Sequence, residues 1–494
     1  MNPRTTGILL IIAAALGLFV YMELQDEGPR GDAEAAGERL FAFEPDEVSD
    51  IYLETSDGQQ AHLRREAGDG ASGWALVAPV AFPADAFSAD GIASSLATLS
   101  SEGAFENPGS LTEYGLDDTA ARVVRVTAEG ETHELRIGRD APVGSKRYVG
   151  VQGDIHAVAR FEVNTFEKSL DDLRNKDILD FDRNRVRTIV LGWPGGRVAL
   201  EGTPDPADND AIVWRITAPI EAPADQKVVG TLLSEMDFLR AEGFVDDPSA
   251  ESGLADPAFV AALSGPPGEV GEEAFEVSFA MGAELGDAMR LVRGDQQALY
   301  RVAASQLDEF PRELFQYREK ALARFSLGDA EQVELFFQQP GGDPVSVVAA
   351  RDGSEWSSTP EAMDPDRILP MVSELSRLDA SGIVAESVGP EELAALELSP
   401  PNTIITVRGE VSENSDTAPT LAELRLGRID GVDGVVVQTV GDPILYRLSI
   451  DMGDTLPLNL EAFRNRFLAP EEPEEIPGAA QDDDLLPTPS EESP

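Results

Sequence analysis

Cysteine is absent from the 494 residues, which excludes disulfides, thiolate metal sites and a cysteine nucleophile. Histidine is almost absent: only His62, His133 and His156 occur. No two of them have the i, i+4 spacing of a helical zinc pair. His62 and His133 fall in predicted hairpin strands, and His156 follows a Gly153-Asp154-Ile155 turn or strand start. Ordinary exposed strand histidines are expected there. No Gly-x-Ser-x-Gly nucleophile elbow is present. The stretch from Gly138 to Lys146 lacks the Gly-Lys-Ser/Thr of a phosphate loop and joins two predicted strands, so it reads as a hairpin connection. No catalytic residue, cofactor or metal is assigned.

Positive charge is also scarce. Lys and Arg number 38 against 91 Asp and Glu, for a net charge of −53. Repulsion from phosphates disfavours nucleic acid and direct adhesion to an anionic membrane. The acidity suits a solvated surface, as in a saline habitat. The clusters Asp205-Pro-Ala-Asp208-Asn209-Asp210 and Asp430-Gly-Val-Asp433-Gly434 do not match the twelve-residue calcium loop with its terminal Glu. They read as solvated loops.

Only one hydrophobic run approaches membrane length, Gly7 to Met22. As a helix it spans roughly 24 Å, slightly short of a hydrocarbon core of about 30 Å. Thr5 and Thr6 can extend it, and Tyr21 suits the interface. Arg4 precedes it while Glu23, Asp26 and Glu27 follow, which predicts a cytoplasmic amino terminus and a body outside. A cleaved signal peptide is the rival, but the run ends Val20-Tyr21-Met22-Glu23, without small residues for cleavage. The expectation is a single-pass anchor at 1–24 in a bacterial inner membrane, a polar tether at 25–38 and a periplasmic body.

Three tryptophans organise that body. Trp74-Ala-Leu-Val-Ala-Pro79 leads to Pro83-Ala84-Asp85, and Trp214-Arg-Ile-Thr-Ala-Pro219 leads to Pro223-Ala224-Asp225. Trp356-Ser-Ser-Thr-Pro360 leads to Asp364-Pro365-Asp366. The repeating length of about 140 residues is that of a small domain, not of a short solenoid repeat. Modules are expected at 39–179, 180–323 and 324–468. Each opens with strands around a Gly-containing turn, at Asp57-Gly58, Gly195-Gly196 and Gly341-Gly342.

An amphipathic helix follows, with Asp85, Asp225 and Asp366 marking its start. Its apolar positions are Val228, Val229, Leu232, Leu233, Met236 and Leu239 in the second module, and Ile368, Leu369, Val372, Leu375 and Leu378 in the third. Loops carrying Leu116, Leu254 and Leu398 precede further strands. The fold class is therefore α+β: three tandem homologous modules of mostly antiparallel sheet with helices, after one transmembrane helix. The tail at 469–494 holds nine acidic residues, many prolines and no basic residue, the composition of a disordered segment.

Each module is expected to close in a short helix with a basic cluster: Arg174/Lys176, Arg318/Lys320 and Arg464/Arg466. These cations would stabilise a helix C-terminus or pair with carboxylates at the next module boundary. The alternative is three docking sites for an anionic group. The tryptophans are expected in the core or at domain interfaces, not as stacking platforms.

The anchor, the tandem Trp-x-Leu-x-x-Pro and Pro-Ala-Asp steps, and the Tyr114-Gly115-Leu116-Asp117 loop resemble the domain-of-unknown-function 4340 family. Arg147-Tyr148-Val149 and Leu173 to Asp182 extend the resemblance, and the third module is the most divergent. Members of that family are often encoded beside a gliding-type ABC transporter with a large auxiliary protein. The resemblance implies a non-catalytic accessory or scaffold role beside an ABC-type permease and its auxiliary subunits. An extracytoplasmic module binding glycan, peptide or lipid is the alternative, and an envelope hydrolase with paired carboxylates comes third.

Overall fold

The computed structural model describes residues 38–66, 73–105, 109–208, 211–246, 253–268, 273–285, 289–294, 298–339, 341–411, 417–429 and 434–469. The expected anchor, nearly all of the tether and tail, and the Asp430 cluster up to Asp433 lie outside these residues. Among the described residues no helix is long and apolar enough to cross a membrane.

Alternation of apolar and polar residues sets the strands. In β2 (Val48–Glu54), Val48, Ile51 and Leu53 are buried while Ser49, Tyr52 and Glu54 face out. A short β1 (Glu38–Arg39) precedes it. β3 (Gln60–Arg65), β4 (Trp74–Ala78) and β5 (Phe82–Pro83) continue as a meander. A helix and the short β6 (Ser100–Ser101) intervene. A second meander follows: β7 (Arg122–Ala128), β8 (Glu131–Asp140), β9 (Lys146–Val151) and β10 (Asp154–Ala159). The sheet order is β10-β9-β8-β7-β2-β3-β4-β5, antiparallel throughout. The two meanders meet where β2 pairs with β7.

The same plan recurs twice. The second sheet contains β11 (Thr188–Trp193), β12 (Gly196–Pro204), β13 (Ile212–Ala218), β14 (Ala222–Pro223) and β15 (Gly243–Val245). It continues with β16 (Phe259–Gly265), β17 (Phe275–Glu284), β18 (Met289–Arg293) and β19 (Leu299–Ala303). Its order is β14-β13-β12-β11-β16-β17-β18-β19-β15. The third comprises β20 (Gln332–Phe337), β21 (Val345–Asp352), β22 (Glu355–Thr359) and β23 (Gly382–Ala385). β24 (Thr403–Arg408), β25 (Thr420–Ile429), β26 (Val435–Thr439) and β27 (Leu445–Leu448) complete it. Its order is β22-β21-β20-β24-β25-β26-β27-β23.

One long helix lies between the meanders each time: α1 (Ala86–Thr98), α2 (Gln226–Asp237) and α3 (Pro365–Leu375). In α1 the buried face is Ala89, Ile92, Ala93, Leu96 and Ala97, which shares one core with Val48, Ile51, Leu53 and Leu63 of the sheet. Each such Ile or Leu, fully buried, is worth about 1.5–3 kcal/mol of transfer free energy. In α3 the buried residues are Ile368, Met371, Val372 and Leu375. Leu369, expected on that face, is exposed, and Met371 takes its place.

By contacts the chain divides into two compact units. One holds Met1–Val186, Leu191–Pro194 and Leu233–Phe310; the other holds Arg187–Val190, Gly195–Leu232 and Pro311–Pro494.

Candidate functional site

Helix starts provide a ruler for aligning the modules. Asp85 Oδ1 accepts from Ser88 N at 2.8 Å, and Asp225 Oδ1 accepts from Lys227 N and Val228 N at 3.1 Å. In the third module the cap is Asp364, which accepts from Asp366 N at 3.0 Å; Asp366 is an exposed first-turn residue. The marker expected at Asp366 therefore belongs to Asp364. Main-chain bonds fix the same register: Asp85 N donates to Leu173 O, Asp225 N to Tyr317 O and Asp364 N to Phe467 O. Bridges then pair Ala84 with Arg174, Ala224 with Arg318 and Met363 with Leu468.

Leu468, and neither Arg464 nor Arg466, thus stands where Arg174 and Arg318 stand. The basic pair of the third module is displaced because it ends a helix, α4 (Leu460–Arg466), with both arginines exposed in its last turn. Arg466 Nη1 donates to Gly453 O at 2.7 Å and Asp454 Oδ1 at 2.8 Å, and Arg464 lies 3.8 Å from Glu361.

Arg174 and Arg318 are buried at joints between successive sheets, each joint internal to one compact unit. Arg174 is 1% exposed. Its Nη2 donates to Asp246 Oδ2 at 2.8 Å, Asp171 lies 3.7 Å away, and its guanidinium sits 4.8 Å from the Phe244 ring centre. Phe82 lies 6.0 Å from it, and Phe82, Phe244 and Tyr300 pack on one another with centroids 5.3 to 6.3 Å apart. Alongside, Ile178 N donates to Leu239 O and Ala241 N to Lys176 O.

At the second joint Arg318 is 5% exposed and forks onto both Glu386 oxygens. Leu322 N donates to Leu378 O and Ala380 N to Lys320 O, repeating the first joint bond for bond. Lys176 reaches Asp172 at 3.2 Å, and Lys320 reaches the cap Asp225 at 2.8 Å. The four cations at these two joints are spent on carboxylates of their own chain. Sequence reasoning missed Asp246 and Glu386; the shared glycine before them, Gly243 and Gly382, was the available signal.

Trp74 and Trp214 are buried, as expected, and Trp356 is half-buried against the third core. Trp74 Nε1 donates to Asp90 Oδ1 at 2.8 Å and its ring carries Arg65 at 4.3 Å.

The histidines are half-buried, contrary to the expectation of exposure, because each gains a neighbour from another segment. His62 stacks on Tyr52 at 4.1 Å and meets Asp50 at 2.8 Å; His133 lies 4.9 Å from Phe43. His156 Nδ1 is 3.1 Å from Ser101 Oγ. Two clefts adjoin the latter pair. One of about 310 Å³ is lined by Phe41, Leu111, Leu116, His133 and Arg136, among others; Arg136 is already paired with Asp118 at 2.6 Å and Glu134 at 2.9 Å. The other, about 610 Å³, is wider and includes Glu38, Glu102, Ala104, Asp154 and His156.

Burial pushes the Glu162 carboxyl above its usual range, with the charge of Glu102 adding to the effect. Glu162 does not line that wider cleft, and Glu102 is tied to Lys146 at 2.9 Å. Among the described residues no group of three or more His, Asp or Glu is placed to hold a metal ion. The Gly138–Lys146 stretch is a hairpin connection between β8 and β9, as its sequence implies.

The architecture is that of a tandem α+β repeat protein whose joints are latched by buried arginines. The chain belongs to the family described as Domain of unknown function (DUF4340), whose model matches residues 74–211, 214–389 and 359–491. No curated protein and no solved structure matches it.

Proposed function

We propose that the chain is a membrane-anchored periplasmic scaffold acting beside an ABC-type transporter, without catalysis of its own. The observation that carries this reading is the recurrent joint. Arg174 and Arg318 are buried against the following module, so the repeated cations hold modules together instead of presenting three equivalent ligand sites. The hydrophobic run at 7–22 supplies the anchor, and the family resemblance supplies the transporter. Gentle solubilisation and affinity purification of the full chain should bring down the permease and auxiliary subunits. Their repeated absence, with the chain itself recovered intact, would overturn the proposal.

A second reading, an extracytoplasmic module binding glycan, peptide or lipid, is favoured by the cleft of about 310 Å³ beside His133. Saturable binding of such a ligand, lost in His133→Ala with unchanged melting, would support it.

A further inference from the structure

The most exposed large apolar side chains among the described residues are Phe87 at 88%, Val143 at 82% and Phe161 at 75%, all in the first module. Two of them share a corner. Val143 sits at the tip of the β8–β9 turn, which Ala141 N closes by donating to Lys146 O at 2.9 Å. Pro142 fixes one φ there, and Gly144 and Ser145 take left-handed φ of 87° and 48°, so the backbone itself holds the tip out. Arg160 N donates to Ser145 O at 3.0 Å, which sets the short helix Arg160–Asn164 against the turn. That helix buries Val163 and leaves Phe161 outside. Singly, such side chains need no explanation; side by side on a rigid corner they form an apolar knuckle.

Charge changes at the same corner. From Arg139 to Arg147 the sequence carries three basic residues and one acidic, against 38 and 91 in the whole chain. The carboxylates around it are neutralised by its own cations: Asp140 by Arg147 at 2.9 Å and by Arg160, Glu102 by Lys146 at 2.9 Å, and Glu167 by Arg147 at 2.6 Å. Arg139 is exposed and has no ion-pair partner among the described residues. The chain also enters the module here, since Glu38 pairs with Ser101 and the next residue, Glu102, holds Lys146. Glu38 is sixteen residues beyond Met22, the end of the hydrophobic run. Even at full extension it lies within about 55 Å of that end.

We propose that Val143 and Phe161 form a lipid-contacting tip by which the first module rests on the bilayer surface, with Arg139 beside them at the headgroups. The proposal rests on the membrane-anchored reading. Repulsion from anionic lipid acts on the body as a whole, but at this corner the chain's own cations relieve it. Two apolar side chains give a free protein little hold on lipid. A tethered body, however, meets the surface at about millimolar effective concentration, where weak contacts suffice. The contact sets orientation: the first module meets the membrane by the corner at which its chain arrives. Phe87 takes no part, because it lies at the opposite end of α1 from β6, about 17 Å along the helix axis. Interfacial contacts reach only about 5–10 Å into the headgroup boundary.

Because the chain has no cysteine, Val143→Cys, Phe161→Cys and Phe87→Cys each accept a single environment-sensitive fluorophore. The full chain is reconstituted into vesicles of phosphatidylcholine and phosphatidylglycerol, with and without a lipid spin-labelled near its headgroup as quencher. Labels at positions 143 and 161 should emit at shorter wavelength than one at 87 and be quenched by the spin-labelled lipid. Phe161→Asp, combined with Val143→Cys, should lose the quenching at 143 with melting unchanged, since Phe161 lies outside the core. Vesicle flotation separates the two readings. A chain that fails to float overturns the anchor and this proposal together; one that floats with the labels at 143 and 161 in water overturns this proposal alone. Equal quenching at 87 also overturns it. So does a label at 143 that leaves water only when native membrane proteins are present, which would give the corner to a protein partner.

Discussion

Two aspartates near the joints titrate in opposite senses. At Asp225, burial alone would raise the pKa, but Lys320 and the Val228 and Lys227 amides together outweigh it, so the value lies below the usual 3.8. Stability from this group is present above pH 3.8 and is lost as the pH falls through the depressed value. At Asp171, burial raises the pKa, the charge of Asp246 adds to it, and Arg174 only partly opposes them. Its contribution is full below pH 3.8 and declines as the pH rises through the elevated value. Asp225→Asn should therefore lower the urea midpoint at neutral pH and flatten the acid limb. Asp171→Asn should raise the neutral midpoint, because Arg174 keeps Asp246. Urea titrations over a pH series decide both, and shifts of the same sign would contradict the assignment. Among the tryptophans, Trp214→Ala should cost about 3–5 kcal/mol and the half-buried Trp356→Ala clearly less. A Trp214→Ala chain with unchanged unfolding but lost partner binding would instead mark a recognition residue.

At the level of elements, the loop before the second meander packs on a strand glycine in the first and third modules. Gly115, Gly253 and Glu397 all have left-handed φ in that loop, between 59° and 68°. A Cβ on Gly138 would come 2.3 Å from Tyr114 O, and one on Gly427 2.2 Å from Leu396 O. Because the obstacle is backbone, Gly138→Ala and Gly427→Ala should each destabilise by about 1–3 kcal/mol in denaturant unfolding. A neutral result would show that the loop can move aside. Helices and strands were legible because their apolar periods are local: Ile368, Val372 and Leu375 are buried as their spacing requires. The recurring Leu116, Leu254 and Leu398 were legible as a loop. What was not legible depended on registration between distant segments. Arg464 resembles Arg318 in spacing, yet only the bond from Asp364 N to Phe467 O shows that Leu468 occupies the joint position. Composition likewise could not place Ala104 beside His156.

For the whole molecule, a charge of −53 implies self-repulsion that the joints must withstand. Raising salt from low ionic strength to about 1 M, where screening acts within about 3 Å, should raise the thermal midpoint. A fall would mean that ion pairs such as Lys320–Asp225 dominate over repulsion. The pairing of β2 with β7, and of β20 with β24, also sets a timetable. Each joins the first strand of a module to one made only after a hairpin, a helix and a long connection, so the closing contact is non-local and late. Until then the first meander waits with an open edge. The chain carries three such edges of one design, so a late strand can meet the wrong one. Synthesis from the amino terminus lets each edge find its own strand before the next edge exists, whereas refolding the whole chain from denaturant sets all three in competition.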